Sequence, residues 1–293
     1  MKQLSKKAFM SKLKLIECPR DAMQGMENFV PTNLKIAYIN LLLNCGFDTI
    51  DFGSFVSPKA IPQMRDTAEV LKGLNLNGKT KLLAIIANER GAEDALAFEE
   101  IDFLGYPFSV SEVFQQRNTN ASIFESIERV ERIQGLVHSK NKKLVVYLSM
   151  GFGNPYGEEW NPEIVLKWAQ KLHNELGIEI IAPSDTIGCA NPTDVHDLFK
   201  TLNKELANVE FGAHLHARKE NVEQLIQAAY SAGCRRFDSA MKGFGGCPMA
   251  KDDLTGNIPT EDVLQYFREN KIETGLSELE FQQAFNFSTT IFM

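Results

Sequence analysis

The 293-residue chain holds only 5 histidines and 2 tryptophans, and its 31 basic side chains are outnumbered by 38 acidic ones, for a formal net charge of -7. That balance lacks the basic excess of a polyanion binder, so no nucleic-acid partner is expected, although a local basic patch can still hold a small anion. No apolar run approaches the length of a membrane helix, so no membrane partner is expected either. The five cysteines, Cys18, Cys45, Cys189, Cys234 and Cys247, are odd in number and scattered, which argues for free thiols in a reducing compartment. The opening "MKQLSKKAFMSKLKLIECPRD" is basic without an apolar signal core, and a strand near Leu13 leaves little room for a removable presequence; a cytoplasmic location is expected. No low-complexity tract or linker interrupts the pattern. A hydrophobic content of 44% is enough for one large core, and a single domain over 1–293 is expected.

What is present is a repeated alternation. Eight β-rich runs occur at 13–19, 48–55, 81–88, 101–106, 143–150, 178–185, 210–216 and 235–242. Between them lie helix patterns such as "TNLKIAYINLLLNCG" and "NVEQLIQAAYSAGC", with apolar residues near 3.6 spacing and a closing glycine. The strand runs are apolar nearly throughout, as strands covered on both faces are. Eight βα units in this length predict an α/β fold of the (β/α)8 TIM-barrel type, with a helical tail after "PTEDVLQYF" as cover. A doubly wound open sheet is the alternative, weakened by the lack of a glycine-rich dinucleotide loop after the first strand.

In such a barrel the chemistry sits at the C-terminal ends of the strands. The unusual polar residues gather there: Arg20 and Asp21 after strand one, Asp51 on strand two, Asn88 after strand three, Asp185 in "SDTIG", His214 and His216 in "HLH", and Asn257 in "TGN". Alternate residues of a strand share a face, so His214 and His216 point the same way and can grip one metal ion; they can equally be two polar residues at a strand end. Asp185 can be a helix cap and Arg20 a surface ion pair. Five bland roles on one rim are less economical than one shared site. Asp21, His214, His216 and Asn257 would form a mixed nitrogen and oxygen shell suited to Mg²⁺, Mn²⁺, Co²⁺ or Zn²⁺. Cys247, in the glycine-rich "GGCP", is either a mobile thiol near that site or a small residue in a turn.

Together "ECPRDAMQ", "IDFGSFVSPKAIPQM", "SDTIG", "HLH" and "GFGGCPMAKDDLTGN" resemble 3-hydroxy-3-methylglutaryl-CoA lyase, of the metal-dependent TIM-barrel lyase and synthase superfamily, over nearly the whole chain. The resemblance implies Asp21, His214, His216 and Asn257 as metal ligands, with Mg²⁺ or Mn²⁺ favoured. It implies Arg20 as the group that stabilises an enolate, Asp185 and His214 as base candidates for the tertiary hydroxyl, and Cys247 as the acid that protonates the acetyl product. Asp51 stands where the family has a glutamate beside the substrate. The implied partner is a small-molecule acyl-CoA, the products are acetyl-CoA and acetoacetate, and a homodimer is expected.

Three places depart from the family pattern. Ala22 replaces the usual glycine after "RD", Asp51 is one methylene short of glutamate, and Ala217-Arg218 replaces Asp-Thr after "HLH". The last departure suggests Arg218 as a substrate-binding residue that selects an acyl group with an extra or displaced carboxylate; a solvated arginine is the plain alternative. Two other classes stay open: a metal-dependent aldolase or carboligase acting on a keto acid, and a barrel with a binding role only.

Overall fold

A computed structural model of the chain describes residues 12–246 and 255–292. Eight strands, β1 (Lys14–Glu17), β2 (Thr49–Ser54), β3 (Lys81–Ile85), β4 (Phe103–Ser109), β5 (Lys143–Ser149), β6 (Ile180–Pro183), β7 (Glu210–His214) and β8 (Arg236–Ser239), alternate with helices. They close in chain order into one barrel. β8 pairs in parallel with β1, Lys14 opposite Arg236, which excludes the open sheet. All eight expected runs are strands, most of them shorter than the runs because apolar residues at each end continue into loops. β4 is the exception. Expected over 101–106, it runs on through Pro107, which lies opposite Tyr147 in the register with β5. β3 pairs with β4 no further than Gly105, so the missing proline N–H falls where that flank of the ladder has ended.

The helices are α1 (Pro19–Gln24), α2 (Thr32–Cys45), α3 (Thr67–Lys72), α4 (Glu89–Leu96), α5 (Glu112–Thr119), α6 (Ile123–Ser139), α7 (Pro162–Asn174), α8 (Pro192–Glu205), α9 (Val222–Ser231), α10 (Thr260–Glu269) and α11 (Glu278–Ile291). α2 ends at Gly46, which takes φ 96°, a conformation that costs a glycine little. The tail is helical as expected, and it packs on the outer helix α2, where Tyr38 meets the rings of Phe287 and Phe292. No described helix is long and apolar enough to cross a membrane.

The barrel lumen is divided. Leu83, Ile85, Val145, Tyr147, Ile180 and Ala182, from β3, β5 and β6, form an apolar cluster of their own. Across from them, Asp51 of β2 and Arg236 and Asp238 of β8 are buried, with Glu210 of β7 half-buried beside Arg236. Arg236 is only 1% exposed, and Gly212 on the adjacent strand makes its room: a Cβ there would lie 3.0 Å from Arg236 Cδ. Glu17 faces outward from the barrel wall. Its Oε1 accepts from Met241 N at 2.8 Å and its Oε2 from Thr260 Oγ1 at 2.6 Å, so one carboxyl ties residues on both sides of the loop that carries Cys247. Burial pushes the Glu17 carboxyl up to about 8. Cys247 itself lies outside the described residues.

Candidate active site

β1 ends at Glu17, and Pro19 then starts α1 as its first residue, where a proline's fixed φ suits a helix and its missing N–H has no partner to lose. This short helix sets Arg20, Asp21 and Gln24 on one patch, since residues three and four apart are neighbours. Gln24 ties the other two together: its Oε1 accepts from Arg20 Nη1 at 2.8 Å and its Nε2 donates to Asp21 Oδ1 at 2.9 Å. Arg20 Nη1 also donates to Asp21 Oδ1, at 2.9 Å. From β2, Asp51 takes Arg20 Nε at 3.0 Å on Oδ2 and also accepts from Nη2. Of the five guanidinium N–H groups, one on Nη2 is left over, and Arg20 lines the cavity.

Burial works against the Arg20 charge, but Asp51 and Asp21 outweigh it and hold the guanidinium protonated more firmly than usual. Asp51 is raised by burial, with Arg20 opposing that rise. Asp21 goes the other way: burial disfavours its charge, but Arg20, then His214 and His216, hold it below the ordinary carboxylate range.

His214 ends β7 and His216 follows two residues on, as the alternation requires. One ligand atom each from Asp21, His214 and His216 lies within 4.8 Å of the others. His216 is 3% exposed, and neither of its ring nitrogens has a hydrogen-bond partner. Burial, with His214 beside it, holds its pKa down to about 4, so the ring is neutral at pH 7 with a lone pair to give. An orphaned, neutral imidazole facing an anionic carboxylate fits a divalent cation. Asn257 is bridged to His216 through the backbone, and its Nδ2 donates to Asp21 Oδ2 at 2.5 Å. The glycine-rich loop lies against this pair: a Cβ on Gly245, at φ 102°, would sit 2.5 Å from Asn257 Nδ2 and 2.9 Å from the Asp21 carbonyl.

A cavity of about 280 Å³ opens over these groups, with Arg20, Asp21, Tyr147, His214 and His216 as its ionisable lining among the described residues. One wall is apolar, from Val56, Ile61, Ile85 and Phe114; another carries Ser149, Ser184 and Thr186.

Three expected residues are placed away from the open cavity. Asp185 is not aimed at the cavity. Its Oδ1 accepts from Cys189 N at 3.0 Å and its Oδ2 from Ala190 N at 2.9 Å, so both oxygens are spent on shaping the loop before α8. Asp51 is 1% exposed, and both its oxygens accept from Arg20, which it seats. Arg218 is exposed and lines a neighbouring groove with Cys189, Asn191 and Thr255, which His216 also borders. The strand ends at His214, and beyond His216 the chain is held to the Gly256 carbonyl through Ala217 N. Two residues at the site went unread in the sequence. Gln24 had a signal, the i+3 and i+4 spacing from Asp21 and Arg20. Asp238 had another, a charge two places after Arg236, which puts both on one face of a four-residue strand.

A family model described as HMGL-like matches residues 12–288. The chain belongs to the HMGL-like family. It is 33% identical over 278 residues to the mitochondrial hydroxymethylglutaryl-CoA lyase of Macaca fascicularis, covering 94% of this chain and 84% of that one. It is 31% identical over 278 residues to the cytoplasmic 3-hydroxy-3-methylglutaryl-CoA lyase of Rattus norvegicus, covering 94% of this chain and 80% of that one. The solved structure of an HMG-CoA lyase from Acinetobacter baumannii, in complex with coenzyme A and 3-methylmalate, superposes with a TM-score of 0.89 at 30% identity, covering 96% of this chain and 91% of that one. The HMGL-like assignment thus spans the whole barrel, and the Asp21, His214 and His216 cluster lies at its mouth.

Proposed function

We propose that this chain cleaves 3-hydroxy-3-methylglutaryl-CoA to acetyl-CoA and acetoacetate, using a divalent cation held by Asp21, His214 and His216 with Asn257 beside them. The observation that carries this reading is the pairing of that cluster with a cavity-lining Arg20 whose guanidinium keeps one N–H free. Bound there, a divalent ion supplies Lewis acidity that lowers the pKa of the substrate's tertiary hydroxyl. The remaining steps belong to side chains. The hydroxyl proton passes to a base, the bond between C2 and C3 breaks, and its electron pair becomes the enolate of the thioester. The free Nη2–H of Arg20 meets that oxyanion, fixed in place beforehand by Asp51, Asp21 and Gln24. A proton then returns to C2, for which Cys247 is the proposed donor.

Asp185 is turned to its loop, and His214 Nδ1 faces Asp238 Oδ2 at 3.2 Å, so His214 has one nitrogen left and serves as a ligand in this reading; the hydroxyl proton then passes to a water in the cavity. Ala217 and Arg218, which kept a purely binding role open, lie off the cavity, and no observation favours that role. A homodimer and a cytoplasmic location complete the proposal, the location supported by the cytoplasmic relative.

The test is release of acetyl-CoA from a panel of 3-hydroxyacyl-CoA thioesters with Mg²⁺ or Mn²⁺. Turnover that is fastest on 3-hydroxy-3-methylglutaryl-CoA and abolished by a chelator is expected. Turnover of keto acids without coenzyme A, or none on any thioester, overturns it.

A further inference from the structure

We propose that Asp238 is the positioning residue of the metal centre: from inside the barrel it fixes His214 with Nδ1–H toward its own carboxylate, so that Nε2 faces Asp21 and His216, while Arg236 beneath it supplies the countercharge. The inference rests on the metal-site reading above and extends it to two residues that touch neither the cavity nor its ligand.

The backbone makes the pair. In the β7–β8 register, His214 stands directly opposite Asp238. Side chains so placed on one face are neighbours, and His214 Nδ1 lies 3.2 Å from Asp238 Oδ2. The edge of Tyr147 meets the imidazole with ring centroids 5.4 Å apart, so the ring is held on a second side. An imidazole that gives one N–H to a carboxylate presents its other nitrogen as a lone pair in a fixed direction, and a ligand held so binds metal more tightly.

Asp238 is suited to this and to little else. It is 3% exposed, and its Oδ1 has no hydrogen-bond partner. An anion so buried needs a cation nearby. Arg236 is two residues earlier on the same strand and therefore on the same face. It is 1% exposed, its Nη1 reaches Glu210 Oε1 at 3.3 Å, and its Nε and Nη2 have no partner, so it acts on Asp238 across the lumen without a direct ion pair. Burial disfavours the guanidinium charge, and the largest effect restoring it is Asp238.

A rival arrangement must be separated from this one. Ligand atoms of Cys18, His214 and Asp238 also lie within 4.8 Å of one another. Were these three to hold the ion themselves, Asp238 would be a ligand and not a guide.

The experiment is Mn²⁺ titration by calorimetry on the full chain, in wild type and in Asp238→Asn, Arg236→Met, Cys18→Ala and His216→Ala, with circular dichroism to establish folding. Asp238→Asn keeps the shape and removes the charge, and is expected to weaken Mn²⁺ binding about 10–100-fold. Arg236→Met is expected to weaken it in the same direction by less, and Cys18→Ala to leave it unchanged. Nitrogen NMR of the metal-free protein, which needs neither activity nor a variant, is expected to show His214 protonated on Nδ1. Wild-type affinity in folded Asp238→Asn, or an Nε2–H tautomer, overturns the proposal. So does a thiolate-to-metal charge-transfer band in Co²⁺-loaded protein that vanishes in Cys18→Ala. If His216→Ala also binds Mn²⁺ as wild type does, the metal-site reading itself has failed.

Discussion

The two halves of the barrel lumen solve different problems. On the β3, β5 and β6 side, Leu83, Val145, Ile180 and their neighbours fill space, and the Tyr147 hydroxyl is the one side-chain polar group among them. On the β8, β1 and β2 side, Arg20 with Asp51, and Arg236 near Asp238, are all buried, and most of their polar atoms are matched by groups from another element. The apolar half is exchangeable in parts, because packing tolerates swaps of similar volume. The polar half is not, because removing one charge strands another where water cannot reach it. Stability is thus spread over the first half, and chemistry is concentrated in the second.

The sharpest way to break the comparison is Arg20→Gln. It removes the oxyanion donor from the polar half, and kcat on the preferred thioester is expected to fall about 10²–10³-fold, with KM changing far less. Steady-state kinetics reads this; a loss confined to KM would make Arg20 a binding group only.

A smaller effect is expected just outside the wall, at Glu17. Burial lifts its carboxyl from the ordinary 4.5 to about 8, so between those values the folded chain keeps a proton that the unfolded chain has lost. Stability tied to this group is therefore full below about pH 4.5 and declines as pH rises toward about 8, by up to about 1.4 kcal/mol per unit. Glu17→Gln holds the neutral shape at every pH, so its denaturation midpoint should lose that slope and gain most on wild type at the alkaline end. Parallel pH profiles for the two proteins would contradict it.

Ile180→Val probes the apolar half. It deletes one buried methylene and should cost about 0.5–1.5 kcal/mol in denaturant unfolding while leaving kcat unchanged. A drop in kcat would show that the two halves are coupled. The least effect is expected from Arg218→Ala. The side chain is exposed and off the cavity, so the ratio of kcat/KM between acyl groups should stay put; a shift in that ratio would return Arg218 to the substrate.

The barrel was legible because its signal is periodic and local: an apolar run, a helix pattern and a closing glycine, eight times. The paired direction of His214 and His216 follows from the same period-two rule, and Arg20-Asp21 from its place at a strand end. What escaped depends on where side chains turn after the backbone is set. Asp185 has a site position in sequence, but its two oxygens accept from the loop N–H groups of Cys189 and Ala190. Asp51 reads as a substrate contact until Arg20 is seen to claim it. Asp238 belongs to the site only because β7 and β8 are adjacent, and nothing near residue 238 in the chain announces His214.

The register that sets His214 opposite Asp238 also decides which insertions this barrel can survive. Loops absorb an added residue by bulging into solvent. A residue added within β8 has no such outlet: the strand alternates faces, so an insertion between Arg236 and Asp238 would leave only one of them facing the lumen and part the two charges. Length variation among descendants of this sequence should therefore collect before Arg236 and after Ser239, and the four residues between should change by substitution alone.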